Sequence, residues 1–269
     1  MKEKKFNMIW EVAKAGRTSH IAGTAHFFPY SFRTSLSGYI KAAGTVLLEG
    51  PLDDESTTKV VAAGSADAKA YHLFDDLDEK TIAGLKRVLS PGGRKKALLN
   101  LYSLLMRDYD QSLYAAVRGM KPWRAFFTLW RKFLEQNGWR YSVDLEAYQI
   151  AKEMNKEIVF LESIEEQIQV LENLSLKRII RILKQVDQWP DYAQEYVGCY
   201  LEGDLDRLKS MRSRFPTRHP EVIDDRDAIF YKRMYPYLEQ GEALIFVGAP
   251  HVRGISKMLA AAGYQIRRP

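Results

Sequence analysis

The chain has 269 residues, of which 46% are hydrophobic and 28% charged, a composition that favours a soluble globular protein with a large core. No apolar run approaches the ~20 residues needed to span a bilayer, and the N-terminal sequence has no hydrophobic signal segment, so we expect a cytoplasmic protein without stable membrane insertion. The single Cys199 excludes an internal disulfide, and the net charge of +6 lies in short scattered clusters, so we expect no nucleic-acid partner.

Six short apolar or β-branched runs predict strands, and the four strongest are each followed by a turn or a helix start. In chain order they are residues 8–13, 18–22, 45–48, 157–161, 243–247 and 264–268, the first and last being the weakest.

Long helical patterns lie between these runs. Ser142 is placed to cap a helix that reaches about residue 155, and Ser163 with Glu166 forms the pattern of a capping box. A further helix is predicted from about residue 220 to 240, with Pro236 expected to kink or interrupt it. Helix also dominates residues 78–140 and 176–211.

Strands that alternate with helices predict an α/β fold with a mainly parallel or mixed central sheet and flanking helices. The helical blocks are too long to be simple crossovers. We therefore expect a single domain over residues 1–269, with a large helical cap inserted at about 78–140 and 164–240. In such sheets, ligands bind beyond the carboxyl ends of the strands.

Four side chains with metal-binding or acid–base chemistry follow the predicted strands. The strand at 18–22 leads into Gly-Thr-Ala-His, ending at His26, and the strand at 243–247 leads into Gly-Ala-Pro-His, ending at His251. Glu49 and Glu162 follow the strands at 45–48 and 157–161. If these strands run parallel, two imidazoles and two carboxylates converge at one edge of the sheet.

This set of groups suits a divalent ion such as zinc, manganese, cobalt or ferrous iron. We assign His26 and His251 as metal ligands. Glu49 is the third ligand or the general base, and Glu162 takes the other of those roles or supports the ligands. An incomplete protein shell leaves room for water and substrate, and such an ion activates water for attack on a carbonyl group.

Six segments in order resemble the TraB/GumN family, which includes the Tiki metalloproteases and the pheromone-shutdown proteins. They are IAGTAHFFP (21–29), VLLE (46–49), VDLEAYQIA (143–151), VFLESIEEQ (159–167), DRD (225–227) and VGAPHVRG (247–254). The resemblance implies a ChaN/TraB-like fold and peptidase-like, metal-dependent chemistry that rests on His26, His251 and Glu49. Arg226 matches a family arginine that is usually followed by Asn, although Asp227 stands here. Arg226 either binds substrate or a developing oxyanion, or pairs with the flanking acids.

The leading hypothesis is therefore a hydrolase that acts on a peptide or related small-molecule substrate. The alternative is a protein of the same fold that binds a metal, haem or a peptide without turnover, or regulates a partner through an aromatic helix. That helix carries a stripe of large apolar residues at helical spacing: Trp123, Phe126, Phe127, Trp130 and Leu134. We expect the stripe to be core, or to form a wall of the substrate cleft.

Overall fold

The computed structural model describes residues 3–67, 72–90, 113–211 and 215–269, with side chains of the helix at 220–240 described from residue 222. Its six strands are β1 Ile9–Lys14, β2 Arg17–Thr24, β3 Thr45–Leu48, β4 Glu157–Phe160, β5 Ala243–Gly248 and β6 Gln265–Arg267. All six predicted strands are confirmed.

The strands form one mixed sheet in the order β4-β3-β5-β2-β1-β6. The four strands from β4 to β2 are parallel, whereas β1 runs antiparallel to both of its neighbours. The predicted α/β class with a mainly parallel or mixed sheet is confirmed. Since β2, β3, β4 and β5 all run the same way, their carboxyl ends meet at one edge.

Helices connect and cover the strands. They are α1 Arg33–Ala42, α2 Asp54–Ala63, α3 Glu79–Leu89, α4 Pro122–Gln136, α5 Val143–Glu153, α6 Ile164–Glu172, α7 Leu176–Lys184, α8 Trp189–Glu202, α9 Leu205–Ser210, α10 Pro220–Gln240 and α11 Ala249–Ala261. Ser142 caps α5, and Ser163 with Glu166 forms the capping box of α6, as predicted. Parts of the two predicted cap insertions, at 78–140 and 164–240, lie outside the described residues. These parts are residues 91–112 and 212–214.

Pro236 lies inside α10, which continues to Gln240, so the predicted interruption is wrong, while a kink at this position stays a prediction. Proline removes one main-chain hydrogen bond from a helix. Burial compensates here, because Phe230, Met234 and Leu238 follow each other at four-residue spacing and all lie in the core. Packing of this stripe therefore maintains the helix through its last turn.

The helices fall into two groups by what they pack against. Next to the sheet, α5 lies on β3 and β4 with α1 beside it, while α10 and α11 pack on each other and on β2 and β5. Further away, α3, α4 and α7 pack against one another and form a cap. Within the described part of the chain, no helix combines the length and apolarity that crossing a membrane requires.

Candidate active site

The carboxyl ends of the parallel strands bring the predicted site residues to one place. In the β2–β5 pair, Thr24 lies opposite Gly248, so the two Gly-x-x-His segments leave the sheet side by side. His26 lies in the loop after β2, and His251 lies in the first turn of α11. Glu49 directly follows β3, and its Oε2 accepts a hydrogen bond of 2.7 Å from the main-chain N–H of Gly248. The predicted convergence at the sheet edge is thus observed.

Arg226, on α10, joins the two glutamates. Its Nη2 donates to Glu49 Oε1, and to Glu162 Oε1 at 2.5 Å, while its Nε donates to Glu162 Oε2 at 3.1 Å. The guanidinium also lies over the ring of Phe230, 5.0 Å from its centroid. Arg226 is therefore a central group of the site rather than a partner in surface ion pairs with its flanking acids.

His251 is held between Arg226 and Asp227. Its Nδ1 lies 2.6 Å from Asp227 Oδ1, and its Nε2 lies 3.3 Å from Arg226 Nη1. An arginine nitrogen can only donate, so Nε2 accepts and the imidazole proton sits on Nδ1, facing the carboxylate. Both His251 and Asp227 are buried. The Nε2 atom of His251 therefore faces Arg226, the residue that also pairs with both glutamates.

His26 has a carboxylate behind it in the same way. Its Nδ1 lies 3.0 Å from Asp144 Oδ2, within ion-pair distance, and Asp144 is buried in the first turn of α5. The His26 side chain itself is 67% exposed. The negative charge of Asp144 raises the pKa of His26 to about 9, so this imidazole is protonated at neutral pH.

The two glutamates have opposite electrostatic environments. Burial by itself raises the pKa of Glu49, but the charge of Arg226, with His251 and His26, lowers it to about 2. Burial together with the negative charge of Glu49 raises the pKa of Glu162. Two neighbouring carboxyl groups whose pKa values are moved apart are a common arrangement in acid–base catalysis.

A model of the TraB/PrgY/gumN family matches residues 8–268, nearly the whole chain. The chain belongs to the TraB/PrgY/gumN family. All six segments that carry the resemblance lie inside the matched residues. A search of curated proteins gives no match.

In this TraB/PrgY/gumN protein, sequence patterns identified the four strand-end residues but missed the roles of Asp144 and Asp227. From the sequence, Asp144 is only an acid near the start of a predicted helix, and Asp227 is only a departure from the family pattern. The available signal was that both acids lie inside family motifs. No group of three or more His, Cys, Asp or Glu side chains in the described residues is arranged to hold a metal ion. In this arrangement Arg226 contacts both Glu49 and His251.

A cavity of about 530 Å³ opens from this site. Its floor includes His26, Glu49, Arg226 and His251, and its walls are mainly apolar. Pockets of this size, with a few convergent polar groups, are typical of small-molecule and peptide sites.

The aromatic stripe of α4 forms part of the cavity wall. Trp123, Phe127, Trp130 and Leu134 all line the cavity, although Trp123 and Trp130 are only 5% and 8% exposed. Both predicted roles, core and cleft wall, are therefore confirmed. Phe126 is fully buried in the core, whereas Phe127 is partly buried and packs against it.

Proposed function

We propose that this protein is a metal-dependent hydrolase that cleaves peptide or related amide or ester bonds at the sheet edge. The observation that carries the proposal is the meeting of His26, His251 and Glu49 on the floor of one substrate-sized cavity. Glu162 is joined to this group through Arg226. Family membership supports it through the resemblance of the two Gly-x-x-His segments to those of the Tiki-type metalloproteases.

The residues present fit a divalent ion in their chemistry. Histidine ligands usually hold a carboxylate or a carbonyl group at the ring nitrogen that does not bind the metal. His251 has this hydrogen-bonded arrangement with Asp227, and His26 has the carboxylate of Asp144 within ion-pair distance of its Nδ1. Glu49, with its lowered pKa, stays ionised as a third ligand must. Binding requires Arg226 to withdraw from Glu49 and His251, and it requires the protonated His26 to release the proton on Nε2.

The side chains then have separate roles. A divalent ion held by His26, His251 and Glu49 would supply Lewis acidity to a substrate carbonyl and a water molecule. Glu162, with its raised pKa, takes the proton of the water as the water oxygen bonds to the carbonyl carbon. It returns the proton to the leaving nitrogen as the C–N bond breaks. Arg226, once released, stabilises the negative charge on the carbonyl oxygen.

The test is cleavage of a diverse peptide pool by protein purified without a chelating tag, with manganese, cobalt, zinc or ferrous iron added in turn. We expect cleavage with at least one ion, and its loss in His251→Ala. Glu162→Gln should bind the ion but lose about a hundredfold or more in rate, because only the proton transfer is removed. Cleavage that persists in the chelator-treated protein would refute the proposal.

One observation favours a second function, binding without turnover. Arg226 already neutralises both glutamates and contacts His251, so the floor is stable without an ion. On this alternative, the cavity binds a metal, haem or a peptide and releases it unchanged. Saturable binding of a peptide, with no product after prolonged incubation with each ion, would favour it.

A further inference from the structure

Arg218 lies in the wall of the cavity. It ends the short 3-10 turn Pro216–Arg218 that precedes α10. Aromatic rings surround its guanidinium, which lies 4.4 Å from the ring centroid of Tyr196 and 5.3 Å from that of Phe215. One of its N–H groups donates to the hydroxyl of Tyr192 at 2.8 Å. The aromatic rings hold the guanidinium in place.

The charge of Arg218 has no counterpart in the described structure. Among the residues described, no carboxylate lies within ion-pair distance of it, whereas Arg131, in the same wall, pairs with Glu135. Burial raises the pKa of Tyr196 to about 12, so the neighbouring phenol is neutral and does not act as a counterion. A partly buried guanidinium without an anion is costly, because its hydration is reduced and nothing replaces it.

A second polar group among the cavity-lining residues lacks a hydrogen-bond partner. Trp123 is 5% exposed and lines the cavity, and its indole N–H makes no hydrogen bond in the structure. Buried donors are normally satisfied, so an unsatisfied one in a cavity wall indicates a ligand atom or water that accepts from it. The wall thus offers a cation and a neutral donor among apolar rings.

We propose that Arg218 binds a carboxylate of the substrate and that an apolar side chain beside this carboxylate packs against the surrounding rings. The substrates are then N-acylated hydrophobic amino acids, or peptides whose C-terminal residue is hydrophobic. This substrate class rests on the proposed function for the cavity. A carboxylate matches the planar fork of a guanidinium. It is also favoured over a phosphate dianion, because Glu49 and Asp144 line the same cavity and repel the larger charge.

The test is equilibrium binding to chelator-treated protein, which keeps it independent of hydrolysis. Isothermal titration calorimetry compares N-acetylphenylalanine with N-acetylphenylalaninamide, which differ only in the carboxylate. We expect the acid to bind about tenfold or more tightly than the amide, as for other charge-assisted hydrogen bonds. In Arg218→Gln this ratio should fall to within about twofold, while the affinity for the amide is unchanged.

Two further variants make the result decisive. Arg131→Gln removes a paired arginine of the same wall, and it should leave the ratio unchanged. Arg218→Lys keeps the charge without the fork and should lower the ratio about threefold or more, which preserves the test if Arg218→Gln does not fold. The proposal would be overturned if the wild type bound acid and amide with equal affinity, or did not bind the acid. It would also be overturned if Arg131→Gln lowered the acid-to-amide affinity ratio as much as Arg218→Gln does.

Discussion

The arrangement of single side chains around Arg226 determines the chemistry of the site. Its guanidinium satisfies Glu49 and Glu162 together, and it faces the Nε2 of His251. These are groups that a divalent ion would use. Arg226 and an ion therefore compete for Glu49 and His251.

Replacing Arg226 with Met should make the protein more dependent on a divalent ion. The apo protein should lose roughly 3 kcal/mol in its free energy of unfolding, since two buried carboxylates lose their counterion. Added manganese or zinc should then raise the Tm of Arg226→Met by more than that of the wild type. Arg233→Met is the control, because Arg233 lies on the same helix but pairs with the exposed Glu166. Equal metal-dependent shifts in all three proteins would contradict this competition.

Asp227 should control metal affinity through His251. Asp227→Ala removes the acceptor at Nδ1, so metal affinity should fall about tenfold to a hundredfold. Asp227→Asn should lower the metal affinity less, because the amide oxygen of Asn still accepts a hydrogen bond from Nδ1–H of His251. Asn is also the usual family residue at this position. Asp225→Ala, an exposed acid on the same helix, serves as the control. Dissociation constants from calorimetry would decide, and an unchanged constant in Asp227→Ala would be incompatible with this role.

The sequence predicts four of the site residues, because each follows a recognisable strand and parallel strands end together. These residues are His26, Glu49, Glu162 and His251. The carboxylates that contact the two histidines could not be predicted. Asp144 and Asp227 lie on helices, and which neighbour a helical carboxylate meets depends on how that helix packs and rotates in the fold. The spacing of residues in the sequence does not contain that information.

Between elements, the close packing of α10 on α11 brings Asp227 to His251. Gly254, one turn after His251 on α11, makes this possible, because a Cβ there would collide with the carboxylate of Asp227. The Val-Gly-Ala-Pro-His-Val-Arg-Gly segment thus supplies both the imidazole and the space for its partner.

Gly254→Ala should therefore destabilise the protein and displace Asp227. Alanine is normally the better helix former by about 1 kcal/mol, but the collision with a buried side chain should outweigh this by about 1–3 kcal/mol. Gly198→Ala is the matched control, since Gly198 lies in α8 with no atom within 4 Å of the added Cβ, and it should be stabilising. Chemical denaturation measures both. A stabilised Gly254→Ala would refute the proposed packing.

The capping box of α6 also ties this helix to α10. Both carboxylate oxygens of Glu166 accept from Arg233, at 2.6 and 2.7 Å. This hydrogen bonding lowers the pKa of Glu166 from 4.5 to about 2, so the ionised form stabilises the fold above pH 4.5, and the contribution is lost as pH falls toward 2.

Glu166→Gln should consequently lower stability at neutral pH by no more than about 1 kcal/mol, because both side chains of the pair are partly exposed. Glutamine still fits a capping box, so the change isolates the charge. Urea denaturation at several pH values measures the free energy of unfolding of both proteins, and the difference between them should narrow below pH 4.5. If this difference instead grew as the pH falls, the assigned ion pair would be contradicted.

At the scale of the whole molecule, the cavity lies between the sheet edge and the helices around it. Strand order β4-β3-β5-β2 brings together residues 26, 49, 162 and 251, which are far apart in the sequence. The sheet and the family could be predicted from local patterns, since each strand and cap carries its own signal. The lining of the cavity could not be predicted in the same way. Residues such as Arg218 and Trp123 are far apart in the sequence, and only tertiary packing brings both of them to the cavity.

Metal binding by His26 and His251 is tested most directly by the metal stoichiometry of the purified protein. Elemental analysis after dialysis against each divalent ion measures it. We expect about one equivalent of manganese, cobalt, zinc or ferrous iron in the wild type, and a loss of most of it in His26→Ala and His251→Ala. A correctly folded wild-type protein that retains none of these ions, or histidine variants that retain the same amount as the wild type, would contradict it.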